Sequence, residues 1–222
     1  MVGQKIYRQS DGAPIGLELA QVIGMVLMVD YDRELRQTLQ NPIYNLQLID
    51  HSRYEDDNTL VNDTPTRDMD HKMLTKTASD TVKVIADTIH AGIKVEVDHQ
   101  YQGENNKVAI LDMWVWVNSE GKICYEFFRK PMAFKGVVKS TSGLSISTKK
   151  QMIFAEGLRR LKCCQPSLSF NIKIQLMDQL SEEMHQAGYN QNFRKIMLTR
   201  ILSAYTKLLR DHESGTSMYK EH

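Results

Sequence analysis

The sequence predicts a mixed α+β protein in which antiparallel strands and helices precede a helical C-terminal part. Two β-leaning runs flank the polar segment 52–58 and predict a first hairpin, and residues 108–128 predict a second one around a turn at 118–121. In the last third, three stretches of helical pattern are separated by Pro166 and Gly188. These observations place the strands in the first 135 residues and a group of three helices after them.

The N-terminal part begins with a loop signal at Gly12, Pro14 and Gly16, because glycine permits unusual backbone angles and proline blocks a helix before it. A helix is predicted from residue 17 to about residue 37, with apolar residues on one broad face. A glycine-rich loop that opens a helix can present backbone N–H groups to phosphate, but it is more often only a turn. Pro42 then interrupts the chain before the first hairpin.

The first hairpin is predicted to present two acidic residues. The run 43–49 can form one strand and residues 59–61 the returning strand, so Asp56 and Asp57 fall at or near the turn. Two neighbouring carboxylates on a rigid support can hold divalent cations, and two Mg²⁺ ions roughly 4 Å apart serve phosphoryl and nucleotidyl transfer. An Asp-Asp pair in a turn is also common in solvated loops, so this signal depends on the rest of the chain.

The middle of the chain is predicted to contain a helix over residues 74–91, which Gly92 ends, and then a strand over 93–97, where apolar and charged residues alternate. In the second hairpin, Trp114 and Trp116 are two residues apart and therefore share a face of the strand. Such a face more often belongs to a core than to a platform on which bases stack.

The C-terminal third is predicted to form three helices. The first covers about 148–163 with Ser147 as a possible N-cap, the second covers about 170–187 and stops at Gly188, and the third covers about 190–211. Together they predict a separate and basic helical subdomain.

Composition indicates an intracellular protein, of the nucleus or the cytoplasm. The chain has 222 residues, of which 41% are hydrophobic and 25% charged, as in ordinary globular proteins. Its three cysteines, Cys124, Cys163 and Cys164, form neither a disulfide framework nor a zinc-ligand pattern. The first ten residues lack the apolar core of a signal peptide, and the longest apolar stretch is far short of the roughly 20 residues of a membrane span.

Charge is distributed unevenly along the chain. Residues 1–112 carry 11 Lys and Arg against 18 Asp and Glu, whereas residues 113–222 carry 17 against 9. An acidic half joined to a basic half suits a metal-binding centre beside a surface for a polyanion. Chance segregation of surface charge is the alternative.

In this order, the pieces resemble the C-terminal part of a reverse transcriptase palm followed by its thumb, as in retroelement enzymes of the Penelope-like type. Segment 53–58, Arg-Tyr-Glu-Asp-Asp-Asn, looks like the Tyr-x-Asp-Asp catalytic motif. Segment 8–16 looks like the motif that packs under the templating base pair. The resemblance extends from about residue 7 to residue 210, and its further blocks are 110–112, 129–132, 148–150, 159–160 and 188–189.

The resemblance implies a partial palm over residues 1–135 and a helical, thumb-like subdomain over 136–222. It implies an RNA-directed DNA polymerase that uses two-metal nucleotidyl transfer, with two Mg²⁺ or Mn²⁺ ions as cofactors. The implied partners are an RNA template, a DNA primer and deoxynucleotides, and no membrane.

The resemblance also assigns roles to single residues. Asp56 would be the main metal ligand and Asp57 a supporting catalytic acid, with Tyr54 near the primer end. Gly12, Pro14 and Gly16 would shape the nucleotide and template side, and Trp114 or Trp116 would lie in the hairpin that grips the primer. The candidates for phosphate contacts are Lys149, Lys150, Arg159 and Arg160; a solvated helix face is an equal alternative for them.

Two departures from the family's pattern limit the expected activity. The family has another metal-binding Asp upstream of the glycine and proline loop, and none of the ten residues before Asp11 is acidic. Glu55 stands where a medium-sized apolar residue is usual. We therefore expect a fragment that is incomplete alone and would need an upstream palm and fingers segment. The alternatives are a non-catalytic nucleic-acid-binding remnant, and a plain α+β protein whose acids lie in a surface loop.

Overall fold

The computed structural model describes residues 18–54, 57–63, 70–90, 92–103, 105–131 and 136–213. Within them the predicted α+β class is confirmed, with five α-helices and two small antiparallel sheets. The elements in chain order are α1 Glu18–Leu39, β1 Gln47–Tyr54, β2 Asp57–Asp63, α2 His71–Ile89, β3 Val108–Ile110, β4 Met113–Val117, β5 Ile123–Phe127, α3 Ile146–Lys162, α4 Phe170–Gln186 and α5 Gln191–Glu213.

The chain divides into two compact units between Tyr101 and Gln102. The boundary predicted from the sequence lies later in the chain, after residue 135. The strands β3 to β5 belong with the helices because Phe127 packs against the helical core, and because Arg129 pairs with Glu156 of α3 and Glu183 of α4.

The first unit is built on the packing of α1 against α2. Both predicted helices are confirmed, and α2 begins three residues earlier than predicted because Asp70 caps it by accepting from the Lys72 amide. Across the contact, the Tyr31 hydroxyl donates to the Ala86 carbonyl over 3.1 Å. The buried residues of this core are Tyr31, Leu35, Leu39, Leu46, Val82, Ile85 and Ala86.

The predicted strand at 93–97 is wrong, since the segment pairs with no strand among the described residues. The alternation that suggested it is real: Ile93, Val95 and Val97 are partly buried against the α1–α2 core. Side chains of α2, rather than a neighbouring strand, form hydrogen bonds with the Val95 backbone. The Val95 amide donates to Asp87 over 2.9 Å, and the Lys83 ammonium donates to the Val95 carbonyl.

The predicted first hairpin is confirmed as the antiparallel pair β1–β2. Its first strand begins at Gln47 rather than at residue 43, because Pro42–Tyr44 form a short 3₁₀ turn that Asn45 ends with a positive φ of 50°. An irregularity between Leu48 and Asp50 shifts the register within β1.

The second predicted hairpin is confirmed as β4–β5, with an additional strand, β3, on the other edge of β4. A two-residue turn at Leu111 and Asp112 separates β3 from β4, and Leu111 adopts a φ of 52° there. At the other turn, the Asn118 side chain accepts from the amides of Glu120 and Lys122.

The three predicted C-terminal helices are confirmed and enclose the second core. The N-cap of α3 is Ser145 and not the predicted Ser147, because the Ser145 hydroxyl accepts from the Thr148 amide over 3.1 Å. After α4, Gly188 has the positive φ of 85° that a helix end favours. The buried residues of this core are Ile153, Leu161, Cys164, Leu176, Met177, Leu180, Met184, Tyr189, Met197, Ile201 and Tyr205.

None of the helices in the described part of the chain combines the length and the apolar character that crossing a bilayer requires.

Candidate functional site

The acidic end of the β1–β2 hairpin is the first candidate site. Tyr54, the last residue of β1, lies directly opposite Asp57, the first residue of β2. Asp57 is exposed, and Tyr54 is 60% exposed. A carboxylate at this position offers the oxygen ligands that Mg²⁺ prefers. The two connecting residues, which include the predicted main ligand Asp56, lie outside the described residues.

The other predicted residues of the palm side are only partly described. Gly12, Pro14 and Gly16 lie outside the described residues. In the part of the chain that the structure does describe, no three His, Cys, Asp or Glu side chains lie close enough together to hold a metal ion. The carboxylate of Asp57 fits a hard cation by its chemistry and its exposure.

A polar cluster joins the hairpin to α1, and sequence reasoning missed it. The Arg53 guanidinium binds the Asp32 carboxylate through two nitrogens, and its Nε–H donates over 2.6 Å. The Arg36 guanidinium donates to the His51 carbonyl over 3.1 Å, and His51 Nε2 lies 3.1 Å from the Asn58 amide oxygen. A motif of a few neighbouring residues cannot predict such a pair, because Asp32 and Arg53 are 21 positions apart.

The two tryptophans lie on one face of the β3–β5 sheet and are half-buried. The Trp114 ring contacts Phe128 with a centroid distance of 4.2 Å. The Lys107 ammonium lies 4.4 Å from the centre of the Trp116 ring and 2.5 Å from the Glu126 carboxylate. Trp114 is thus in contact with another ring, and Trp116 lies beneath a cation.

Two of the four predicted phosphate contacts have internal partners. The Lys149 ammonium is buried and donates to the carbonyls of Ser140 and Ser142 over 2.7 Å each, which ties the preceding loop to α3. Arg160 is 0% exposed and pairs with Glu183 on α4. Burial of both cations argues against a role in binding phosphate.

The other two basic candidates are more accessible. Arg159 is partly exposed and pairs with Asp112 and Glu156. Desolvation alone would lower the pKa of Arg159, but these two carboxylates outweigh it and raise the pKa above its ordinary value. Lys150 is half-buried on α3. For Arg159 and Lys150 the phosphate contact stays a prediction.

A network of ion pairs among arginines and glutamates connects the segment that follows β5 to α3 and α4. Arg160 donates to Glu156 over 2.8 Å and to Glu183 over 2.6 Å. Arg129 donates to the same two carboxylates over 2.9 and 2.8 Å. Each carboxylate thereby accepts from both guanidinium groups, and Glu156 also accepts from Arg159, so the opposite charges compensate one another in a largely desolvated place.

Because of this network, we expect the folded protein to lose stability at low pH. Desolvation would raise the pKa of Glu156, but hydrogen bonds and charges from Arg160 and Arg159 outweigh it and hold the pKa below its ordinary 4.5. The folded state therefore binds this proton less tightly than the unfolded state. The stabilisation is present above about pH 4.5 and is lost as the pH falls through the lowered pKa.

We expect the free energy of unfolding to fall more steeply from about pH 5 to about pH 3 in the wild type than in Glu156→Gln. Urea titrations at several pH values measure the slope. Glu182→Gln, an exposed neighbour of the network on α4, is expected to keep the wild-type slope. Equal slopes in Glu156→Gln and the wild type would contradict the argument.

Comparison of the chain with protein-family models, curated proteins and solved structures finds no match. The fold and the sites define its class as a mixed α+β protein of two compact units. The first unit carries an exposed acidic hairpin, and the second contains a buried ion-pair network.

Proposed function

We propose that this chain contributes the catalytic hairpin and the thumb-like helices of a retroelement reverse transcriptase, which extends a DNA primer along an RNA template. The observation that carries the proposal is the hairpin itself. Its strands are antiparallel, two residues connect them, and Tyr54 faces Asp57 across the pair. A Tyr-x-Asp-Asp motif spread over such a hairpin presents its acids at one end of a small sheet.

Further support comes from the surroundings of the hairpin. In the first unit, the hairpin lies beside α1, which packs on α2, as strands and helices do in a polymerase palm. In the second unit, α3, α4 and α5 form a compact helical group with its own core, as a thumb requires. Residues 113–222, which include this helical group, carry an excess of basic residues.

In this proposal Asp56 and Asp57 hold the metal ions. Two Mg²⁺ ions, when bound, would activate the attacking primer hydroxyl and stabilise the departing phosphate oxygen. The exposed Tyr54 ring stands across from Asp57 and offers a flat apolar surface beside the primer end. The strand pairing keeps the ring and the carboxylate side by side.

The proposal predicts a cation site at this end of the hairpin. In NMR spectra, Mn²⁺ is expected to broaden the amide signals of Tyr54 and Asp57 first. Asp57→Asn, which keeps the shape and removes the charge, is expected to weaken the apparent Mn²⁺ affinity about tenfold. Asp63→Asn at the opposite end of β2 is the matched control, because Asp63 is also exposed. We expect it to change the affinity less than twofold.

The activity assay is primer extension on an RNA template in Mg²⁺ or Mn²⁺. Extension that Asp57→Asn reduces at least about a hundredfold, and Asp63→Asn leaves intact, supports the polymerase. Absence of extension, together with absence of broadening at Tyr54 and Asp57, would contradict it. Salt-sensitive binding to a primer–template duplex would then favour the non-catalytic nucleic-acid-binding alternative.

A further inference from the structure

The contact between α1 and β1 has two anchor points whose spacings match. Asp32 and Arg36 are four residues apart on α1, which corresponds to about 6 Å along a helix. His51 and Arg53 are two residues apart on β1, which corresponds to about 6.6 Å along a strand. One helical turn therefore spans the same length as the two strand positions, and both contacts form together.

The two anchors differ in what they recognise. Arg36 binds the backbone carbonyl of His51, which any residue at that position would offer. Asp32 binds the Arg53 side chain through two nitrogens, with the side chains 24% and 15% exposed. A paired fork of this kind, largely removed from water, is stronger and more directional than a neutral hydrogen bond. Only the Asp32 contact therefore depends on which side chain occupies position 53 of β1.

The β1–β2 hairpin needs an additional contact that fixes the register of its strands. It is a sheet of two strands, which is marginally stable alone, and β1 contains a register irregularity between Leu48 and Asp50. Arg53 fixes β1 against α1, so a slip of β2 by one residue would turn the Asn58 side chain to the opposite face, away from His51 and Asp32. The ion pair and the contact between His51 and Asn58 are thus compatible with the observed register and incompatible with a shift by one residue.

The observed register has a direct consequence for the acidic end. Arg53 is paired with Asn58, and the next pair is Tyr54 with Asp57. On the same face, His51 Nε2 lies 3.1 Å from Asn58 Oδ1 and 4.0 Å from Asp32 Oδ1, and the His51 side chain is 3% exposed. The buried cluster therefore contacts both strands immediately before they reach Tyr54 and Asp57.

We propose that Asp32 is a positioning residue for the acidic end of the hairpin: by binding Arg53 it holds β1 in the register that sets Tyr54 opposite Asp57. This inference rests on the proposed function for its catalytic meaning. The geometric part, that Asp32 sets the register, can be tested without any metal ion.

Amide hydrogen exchange and cross-strand contacts in NMR spectra test the register. Asp32→Asn is expected to accelerate exchange at Tyr54 and Asp57 about tenfold and to weaken their cross-strand contact. The contact between Tyr31 and Ala86 in the α1–α2 core is expected to persist. The matched control is Asp30→Asn, since Asp30 lies on the same helix and pairs with Arg33 at the surface. It is expected to exchange as the wild type does.

A second variant keeps the test decisive if Asp32→Asn unfolds the unit. Arg53→Lys retains the positive charge but lacks the fork, so exchange at Tyr54 and Asp57 is expected to accelerate about threefold. If either folded variant keeps wild-type exchange and wild-type cross-strand contacts, the positioning role is overturned, even if the variant melts at a lower temperature.

Mn²⁺ titration of the same proteins separates the two proposals. With Asp32→Asn folded, we expect the apparent Mn²⁺ affinity at the hairpin to fall severalfold, whereas Asp30→Asn leaves it unchanged. An unchanged Mn²⁺ affinity in Asp32→Asn would overturn the inference that Asp32 positions the acidic end for metal binding. A wild type that shows no broadening at Tyr54 and Asp57 overturns the proposed metal site, while the exchange data still decide whether Asp32 sets the register.

Discussion

Glu183→Gln is expected to lower the free energy of unfolding of the second unit by about 3 kcal/mol. The substitution keeps the shape of the side chain and removes one of the two negative charges in the network. Arg160, 0% exposed, and Arg129 would then share the single carboxylate of Glu156, which also pairs with Arg159. An incompletely compensated charge in a desolvated place accounts for the expected size of the loss.

Urea unfolding followed by tryptophan fluorescence measures this effect in the right unit, because both tryptophans of the chain, Trp114 and Trp116, belong to the second unit. Glu182→Gln is the control, since Glu182 is the neighbouring acid on α4 and is exposed. Its cost is expected to stay below about 0.5 kcal/mol. Equal midpoints for the two variants would show that the network adds little to stability.

Gly157→Ala is expected to destabilise the second unit by about 2 kcal/mol, although alanine is the better helix former by about 1 kcal/mol. Gly157 lies on α3 where this helix meets α5. A Cβ atom on Gly157 would come within 2.5 Å of Ile201 Cδ1 and within 3.1 Å of Ile201 Cγ1. Ile201 is 0% exposed, so the surrounding core restricts its movement.

The clash can be tested by rescue. Ile201→Val removes Cδ1, the nearest atom, so the double variant is expected to lose less stability than the two single losses added together. Gly24→Ala on α1 is the control for helix propensity, because no atom of the described residues lies within 4 Å of its Cβ position. Circular dichroism is expected to show that Gly24→Ala is neutral or slightly stabilising. Strictly additive losses in the double variant would contradict the proposed contact.

Local patterns were sufficient to predict most of the elements. The five helices and the two hairpins follow from apolar spacing and from breakers such as Pro42 and Gly188, which act within a few residues. The wrong prediction of a strand at residues 93–97 has a local cause as well. Alternating burial is common to a strand and to an extended segment, and only a pairing partner distinguishes them. Here α2 supplies the hydrogen bonds through Asp87 and Lys83.

The chemistry of the basic residues was harder to predict. Lys149 and Arg160 have the sequence context of a solvated, basic helix face, and the structure buries both of them. Whether a cation is exposed depends on which acids and carbonyls the fold brings to it. Periodicity along α3 contains no information about Glu183 on α4, which is 23 positions away from Arg160.

By itself, the sequence determined the α+β class, the helices and the position of Asp57 at the end of a hairpin, because these depend on interactions between near neighbours. The tertiary structure alone decided that Asp32 binds Arg53, that Arg160 joins α3 to α4, and that β3 to β5 belong with the helices. The physical reason is the same in each case. Compensation of a buried charge and burial of a sheet face require partners that only packing brings together.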